Sequence, residues 1–145
     1  MIESSAVGFT LMRTFEAPCD IVFEVFTQPE YVAEWWGCDG STTTVHTLDV
    51  RTGGSYHIDV LLPDGTVHSS RGTYSDVLPG RRIVSSDGVA THSITFEEHA
   101  GRTTVTLLVT FSSAAALEHA KNLGVQSGIA RSWDTIERIL RNVDR

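Results

Sequence analysis

His46, His57, His68 and Asp59 are residues whose types could hold a metal ion or pass a proton, because imidazoles and carboxylates serve both as zinc ligands and as acid–base groups. If Pro63 and Asp64 form the centre of a four-residue turn, facing positions sum to about 127, which sets Asp59 opposite His68. A comparable pairing across Gly53 and Gly54 brings His46 near Asp59, giving a His-Asp-His row over three strands. His57 and Asp59, however, have the opposite parity to Tyr56, Ile58 and Val60. The row is therefore expected on the solvent side of its sheet, and no resident metal and no other cofactor is expected.

A second set of ionisable groups lies on the apolar parity. Arg13 and His92 sit in strands whose other in-facing positions are apolar, and Tyr74 and Glu137 border the same region. A buried Arg or His needs a partner. That partner is either an internal ion pair or the carboxylate, carbonyl or phenol of a bound ligand. No nucleophile elbow, HExxH, phosphate loop or GxGxxG occurs, so covalent, zinc-protease and nucleotide chemistry have no support.

The element that must position these groups is a helix over 125–143, VQSGIARSWDTIERILRNV. Ile129, Trp133, Ile136, Leu140 and Val143 recur at spacings of four and three and form one apolar stripe. Arg131, Asp134, Arg138, Arg141 and Asn142 cover the opposite side, with Asp134–Arg138 and Glu137–Arg141 spaced as helix ion pairs. Toward the N-terminus the stripe continues through Val125, Gln126 and Asn122, which are not bulky apolar residues. Laid on a sheet, such a helix packs firmly at its tail and leaves space nearer its start.

The rest of the chain supplies the sheet. Phe9, Leu11, Arg13 and Phe15 alternate with polar residues in a first strand. Val22, Phe23 and Phe26 mark a short helix ending near Thr27, because Gln28 precedes Pro29. Pro29 opens a second short helix, PEYVAEWW, stopped by Gly37. Six strands follow at 45–50, 55–62, 66–77, 82–86, 90–98 and 103–111, separated by Gly- and Pro-bearing turns. A helical run AAALEHAKNL then leads to Gly124 and the long helix. This order describes an α+β domain with an antiparallel sheet of about seven strands.

The composition bounds the function. A chain of 145 residues is expected to form a single domain over 1–145. Eleven basic against 18 acidic residues, net −7, argue against nucleic acid and anionic membrane surfaces, which need a dense positive face. The start, MIESSAVGFT, has no basic or hydrophobic run, and no apolar stretch is long enough to span a bilayer, so a cytoplasmic protein without membrane insertion is expected. Cys19 and Cys38 lack CxxC spacing and are expected as reduced thiols.

The segments FEAPCDIVFEVFTQPEYVAEWWG, DVRTGGSYHIDVLLPDG, GTYSDVLPGRRIV, ITFEEHAGRTTVTLLVTF and GIARSWDTIERIL, in this order, resemble the START-like superfamily, also called SRPBCC. Within it they resemble the branch of activator of heat-shock protein 90 ATPase homologues, over nearly the whole chain. The resemblance implies a helix-grip fold, a curved antiparallel sheet around the C-terminal helix with a cavity for an apolar or amphipathic small molecule. It implies no shared catalytic residue, since members include lipid carriers, polyketide cyclases and co-chaperone domains. Many relatives begin the long helix's stripe with Gly-Trp, where this chain has Gly128-Ile129 and its nearest indole at Trp133.

On that reading the cavity candidates are Trp35, Trp36, Tyr56, Ile58, Val60, Tyr74, His92, Ile94, Phe96, Leu107, Val109, Val125, Gln126, Ile129 and Trp133, with Arg13, His92 and Tyr74 at a polar end. Trp35 and Trp36 are adjacent, so one is expected to pack inward and the other to lie at the rim. The expected function is binding of an apolar or amphipathic small molecule. One alternative is a cyclase- or aromatase-like enzyme using the same cavity, and another is a co-chaperone-like interaction domain with a protein partner or a second copy. ATPase stimulation is not expected, because the co-chaperone carries a further domain for which 145 residues leave no room.

Overall fold

Alternating apolar residues and glycine-bearing turns fold the chain into one antiparallel sheet, and the two amphipathic ends of the sequence supply its helical cover. The structure, a computed structural model, describes residues 2–4, 8–37 and 40–143. The strands are β1 (Ile2–Ser4), β2 (Gly8–Phe15), β3 (Thr42–Leu48), β4 (Ser55–Leu61), β5 (Val67–Leu78), β6 (Arg82–Ser86), β7 (Ala90–His99) and β8 (Arg102–Phe111). The helices are α1 (Cys19–Thr27) and α2 (Pro29–Trp35) after β2, then α3 (Ala114–Asn122) and α4 (Val125–Asn142) at the end. The sheet order is β1-β2-β8-β7-β6-β5-β4-β3. The fold is thus the expected α+β helix-grip, with one more strand than expected at the β2 edge.

Local chemistry sets the breaks. Pro18, in extended backbone, precedes α1, and Asp20 lies in its first turn, where the helix dipole favours an acid. Gln28 is extended because Pro29 follows it, so α1 stops and α2 starts on either side of that residue. Gly124 adopts a left-handed φ of 72° and separates α3 from α4. The break corrects the expected stripe: Asn122 belongs to the end of α3 and is exposed, so α4 begins at Val125.

The β4–β5 turn corrects the register. Gly65 sits at φ 90°, its N–H bonded to Leu62 O, while Leu62 N–H bonds Thr66 O. The longer turn pairs Asp59 with Ser69 and Val60 with His68, so facing positions sum to 128 and His68 leaves the expected row. In β3 the register shifts between Val45 and Thr47, making His46 a bulge residue. That bulge, in a strand opening with three polar threonines, hides its start from an alternation count.

The core lies between the sheet and α1, α2 and the tail of α4. Trp133, Ile136, Ile139 and Leu140 are none more than 7% exposed. Burial of each such side chain contributes about 1.5–3 kcal/mol. Trp133 stands 5.9 Å from the Phe15 and Phe26 rings, which ties α4 to both β2 and α1. Cys19 is a free thiol whose Sγ donates to Gly80 O at 2.8 Å; Cys38 lies outside the described residues. No helix among the described residues is long and apolar enough to cross a membrane.

Candidate functional site

Between the sheet and the first half of α4 the packing opens into a cavity of about 460 Å³, within the range of small-molecule pockets. Its floor is a patch of sheet in which two cross-strand rows run side by side. Ile83, Ile94 and Leu107 form the apolar row, through the pairs Ile83–Ile94 and Ile94–Leu107. Tyr74, Ser85 and His92 form the polar row, through Tyr74–Ser85 and Ser85–His92. Tyr56 extends it from β4, its ring 5.7 Å from that of Tyr74.

The roof comes from α4, whose Val125, Gly128, Ile129, Ser132 and Trp133 face the cavity at helical spacing. A Cβ placed on Gly128 would meet nothing within 4 Å, so glycine here keeps space open. Phe26, Thr27, Trp35, Trp36, Gly37 and Val50 complete the wall. Gly72 acts from below: a Cβ there would come within 2.6 Å of the Tyr56 ring and hydroxyl, so the phenol lies directly over bare backbone.

The electrostatics of the polar row are those of neutral groups. Burial pushes the Tyr56 hydroxyl up to about 12, helped by the charge of Asp87. Burial raises Tyr74 further, with Tyr56 and Asp49 adding to it. Burial lowers His92, opposed by Asp87. At neutral pH the row therefore offers protonated phenols, a serine hydroxyl and an uncharged imidazole. Among the described residues that line the cavity, none is charged at that pH.

Of the residues expected in the cavity, Trp35, Trp36, Tyr56, Tyr74, His92, Ile94, Leu107, Val125, Ile129 and Trp133 line it. The others lie elsewhere. Ile58 is fully enclosed in the core, and Val60 packs 3.5 Å from the position of a Gly37 Cβ. Phe96 is covered edge-on by Phe23 and Phe26 at 5.3 and 5.4 Å, so an in-facing residue meets side chains rather than space. Val109 is 1% exposed, and Gln126 is half-buried in the first turn of α4 without reaching the lining.

Arg13 is the main correction to the polar end. Its guanidinium donates to Asp134 Oδ1 at 2.8 Å and to Ala130 O at 3.4 Å, which fastens β2 to the flank of α4 outside the cavity. Asp134 is consequently taken from the expected pair with Arg138, while Glu137 and Arg141 do approach, at 3.6 Å. The two indoles also depart from expectation. Trp36 is no longer helical but extended, at φ −79° and ψ 128°, so both rings reach the same wall. Trp35 Nε1 donates to Val25 O at 2.8 Å, and Trp36 lies 6.0 Å from Tyr56.

Phe26, Thr27, Gly37, Val50, Ile83, Ser85, Gly128 and Ser132 line the cavity without having been expected there. Gly128 and Ser132 had a readable signal: two small residues four apart on the stripe side of the helix, where bulk would fill a core. Ser85, on the parity of Ile83 in a short strand, was a weaker one.

The family model described as Activator of Hsp90 ATPase homolog 1-like protein matches residues 16–141. No curated protein matches the chain. Among solved structures, protein Ms6760 from Mycobacterium smegmatis is 24% identical, with a TM-score of 0.88 over 98% of this chain and 97% of that one. A protein from Arthrobacter aurescens is 19% identical, with a TM-score of 0.92 over 100% and 93%. One from Rhodobacter sphaeroides is 17% identical, with a TM-score of 0.93 over 100% of both chains. At these identities the structures speak for the fold.

Proposed function

The chain belongs to the family of Activator of Hsp90 ATPase homolog 1-like proteins, and from that premise we propose that it binds an electrically neutral, amphipathic small molecule between the sheet and α4. The observation that carries this reading is the pairing of an open, largely apolar cavity with a polar row that holds no charge. The apolar body of the ligand lies against Ile83, Ile94, Leu107, Ile129 and the indoles. Its carbonyl, hydroxyl or phenol meets Tyr74, Ser85 and His92. A carboxylate entering the same end would lose its water without gaining a cation, because Arg13 is held outside by Asp134.

An interaction domain working through its surface would have no use for such a hollow, which favours the small-molecule reading over a co-chaperone-like one. The enzyme reading shares the cavity and is separated from simple binding only by product formation. The free Cys19 thiol agrees with a cytoplasmic setting.

The test is a titration of the protein with apolar-bodied phenols and ketones and with carboxylates of the same skeleton, followed by indole fluorescence. Saturable binding is expected for the neutral members. The matched carboxylates should bind roughly tenfold or more weakly, since an unpaired buried polar group costs about 1–3 kcal/mol. Equal affinity for both series, or no saturation across the panel, overturns the proposal.

A further inference from the structure

On the opposite face of the sheet, three ligand-type side chains converge. The bulge in β3 turns His46 toward β4, where its Nε2 lies 2.8 Å from Asp59 Oδ2. His57, two residues before Asp59 and on the same face, places its Nε2 3.2 Å from the other oxygen, Oδ1. The two imidazoles lie side by side, centroids 4.6 Å apart and planes 30° from parallel. Both Nε2 atoms thus address one carboxylate. The Ser69 hydroxyl donates to Asp59 Oδ1 at 2.5 Å and fixes the carboxylate from β5.

One atom in this arrangement, His57 Nε2, is buried and, despite its nearness to Oδ1, lacks a hydrogen bond among the described residues. A buried polar atom in that condition calls for a water or an ion. The spacing favours an ion: the ligand atoms of the three residues all lie within 4.8 Å of one another. Two ligands about 2.0–2.1 Å from a common zinc stand roughly 3–3.5 Å apart, so a small tilt of the rings closes the triangle.

We propose that His46, His57 and Asp59 bind a divalent transition-metal ion of the zinc class on the outer face of the sheet, with the remaining coordination positions open to solvent. Two imidazoles and one carboxylate suit borderline first-row ions rather than calcium or magnesium, which take oxygen ligands. Ser69 is the outer-sphere partner that orients the carboxylate. The ion would join β3, which is one of the sheet's two edge strands, to β4. Arg71 pairs with His57 in register and brings a positive charge to the flank, which weakens the site without closing it.

Untagged, chelator-treated protein is titrated with Zn²⁺ and, for its visible absorption, with Co²⁺; the thermal midpoint is followed with and without Zn²⁺. A single saturable equivalent is expected, with cobalt ligand-field bands, a raised midpoint, and no such response to Ca²⁺. His46→Ala and Asp59→Asn abolish that equivalent, His68→Ala leaves it, and Ser69→Ala weakens it by about 10- to 100-fold. Because His46 and Asp59 reach solvent, the variants are first verified as folded by their unchanged midpoint without metal; where one fails, Ser69→Ala and His68→Ala decide. Absence of saturable uptake, or uptake unchanged in the ligand variants, overturns the proposal.

Discussion

In its last turns α4 turns Trp133, Ile136, Ile139 and Leu140 onto a packed core, whereas in its first turns the same face carries Val125, Gly128, Ile129 and Ser132 around open space. Period and direction are the same in both halves. What differs is side-chain volume and what stands opposite: Phe15 and Phe26 rise to meet Trp133, while nothing fills the room over Gly128. One helix can therefore divide two tasks along its length, with stability secured at one end and a vacancy kept at the other.

The largest effect that sharpens this division is expected at the packed end. Ile136 is fully buried, and Ile136→Ala should cost about 2–5 kcal/mol in denaturant unfolding, the range for large-to-small core changes. A cost below about 1 kcal/mol would mean that the tail is no tighter than the head. At the open end, Gly128→Leu should abolish binding of neutral amphiphiles while leaving stability equal or up to about 1 kcal/mol higher, since glycine is a poor helix former. Strong destabilisation there would break the comparison, because it would show that the head is packed after all.

The smallest effect concerns pH. Burial favours the neutral form of His92 in the folded chain, while an unfolded chain takes up that proton near pH 6.5. As pH falls below about 6.5 the unfolded state binds more protons than the folded one, so stability declines; above that value His92 contributes no pH dependence. His92→Asn should flatten this acid slope in unfolding curves measured at several pH values, and an unaltered slope would assign it to other groups.

Much of this architecture is legible in the residues. Pro18, Pro29, Gly65 and Gly124 punctuate the chain where backbone geometry demands it, and the stripe from Ile129 to Leu140 announces a helix that covers a sheet. Parity separates the inner Tyr56 from the outer His57 and Asp59. Parity does not say what stands above an inward residue, so Ile58, Phe96 and Val109 read like Ile94 and Leu107 although only the latter two border space. Nor could alternation foresee the β3 bulge or the longer β4–β5 turn, each of which moves a register by one residue; the turn sets Ser69 rather than His68 opposite Asp59. Arg13 illustrates a third limit. Its inward parity was readable, but a distant aspartate, 121 residues along the chain, claims it.

Because the Tyr56 ring rests on the unadorned backbone of Gly72, the capacity of the hollow is set from outside it. A single methyl on that strand would lever the phenol upward into the ligand's room, shrinking the chamber without replacing any of the side chains that line it. The size of this chamber thus depends on position 72, which is not itself among the residues that line it.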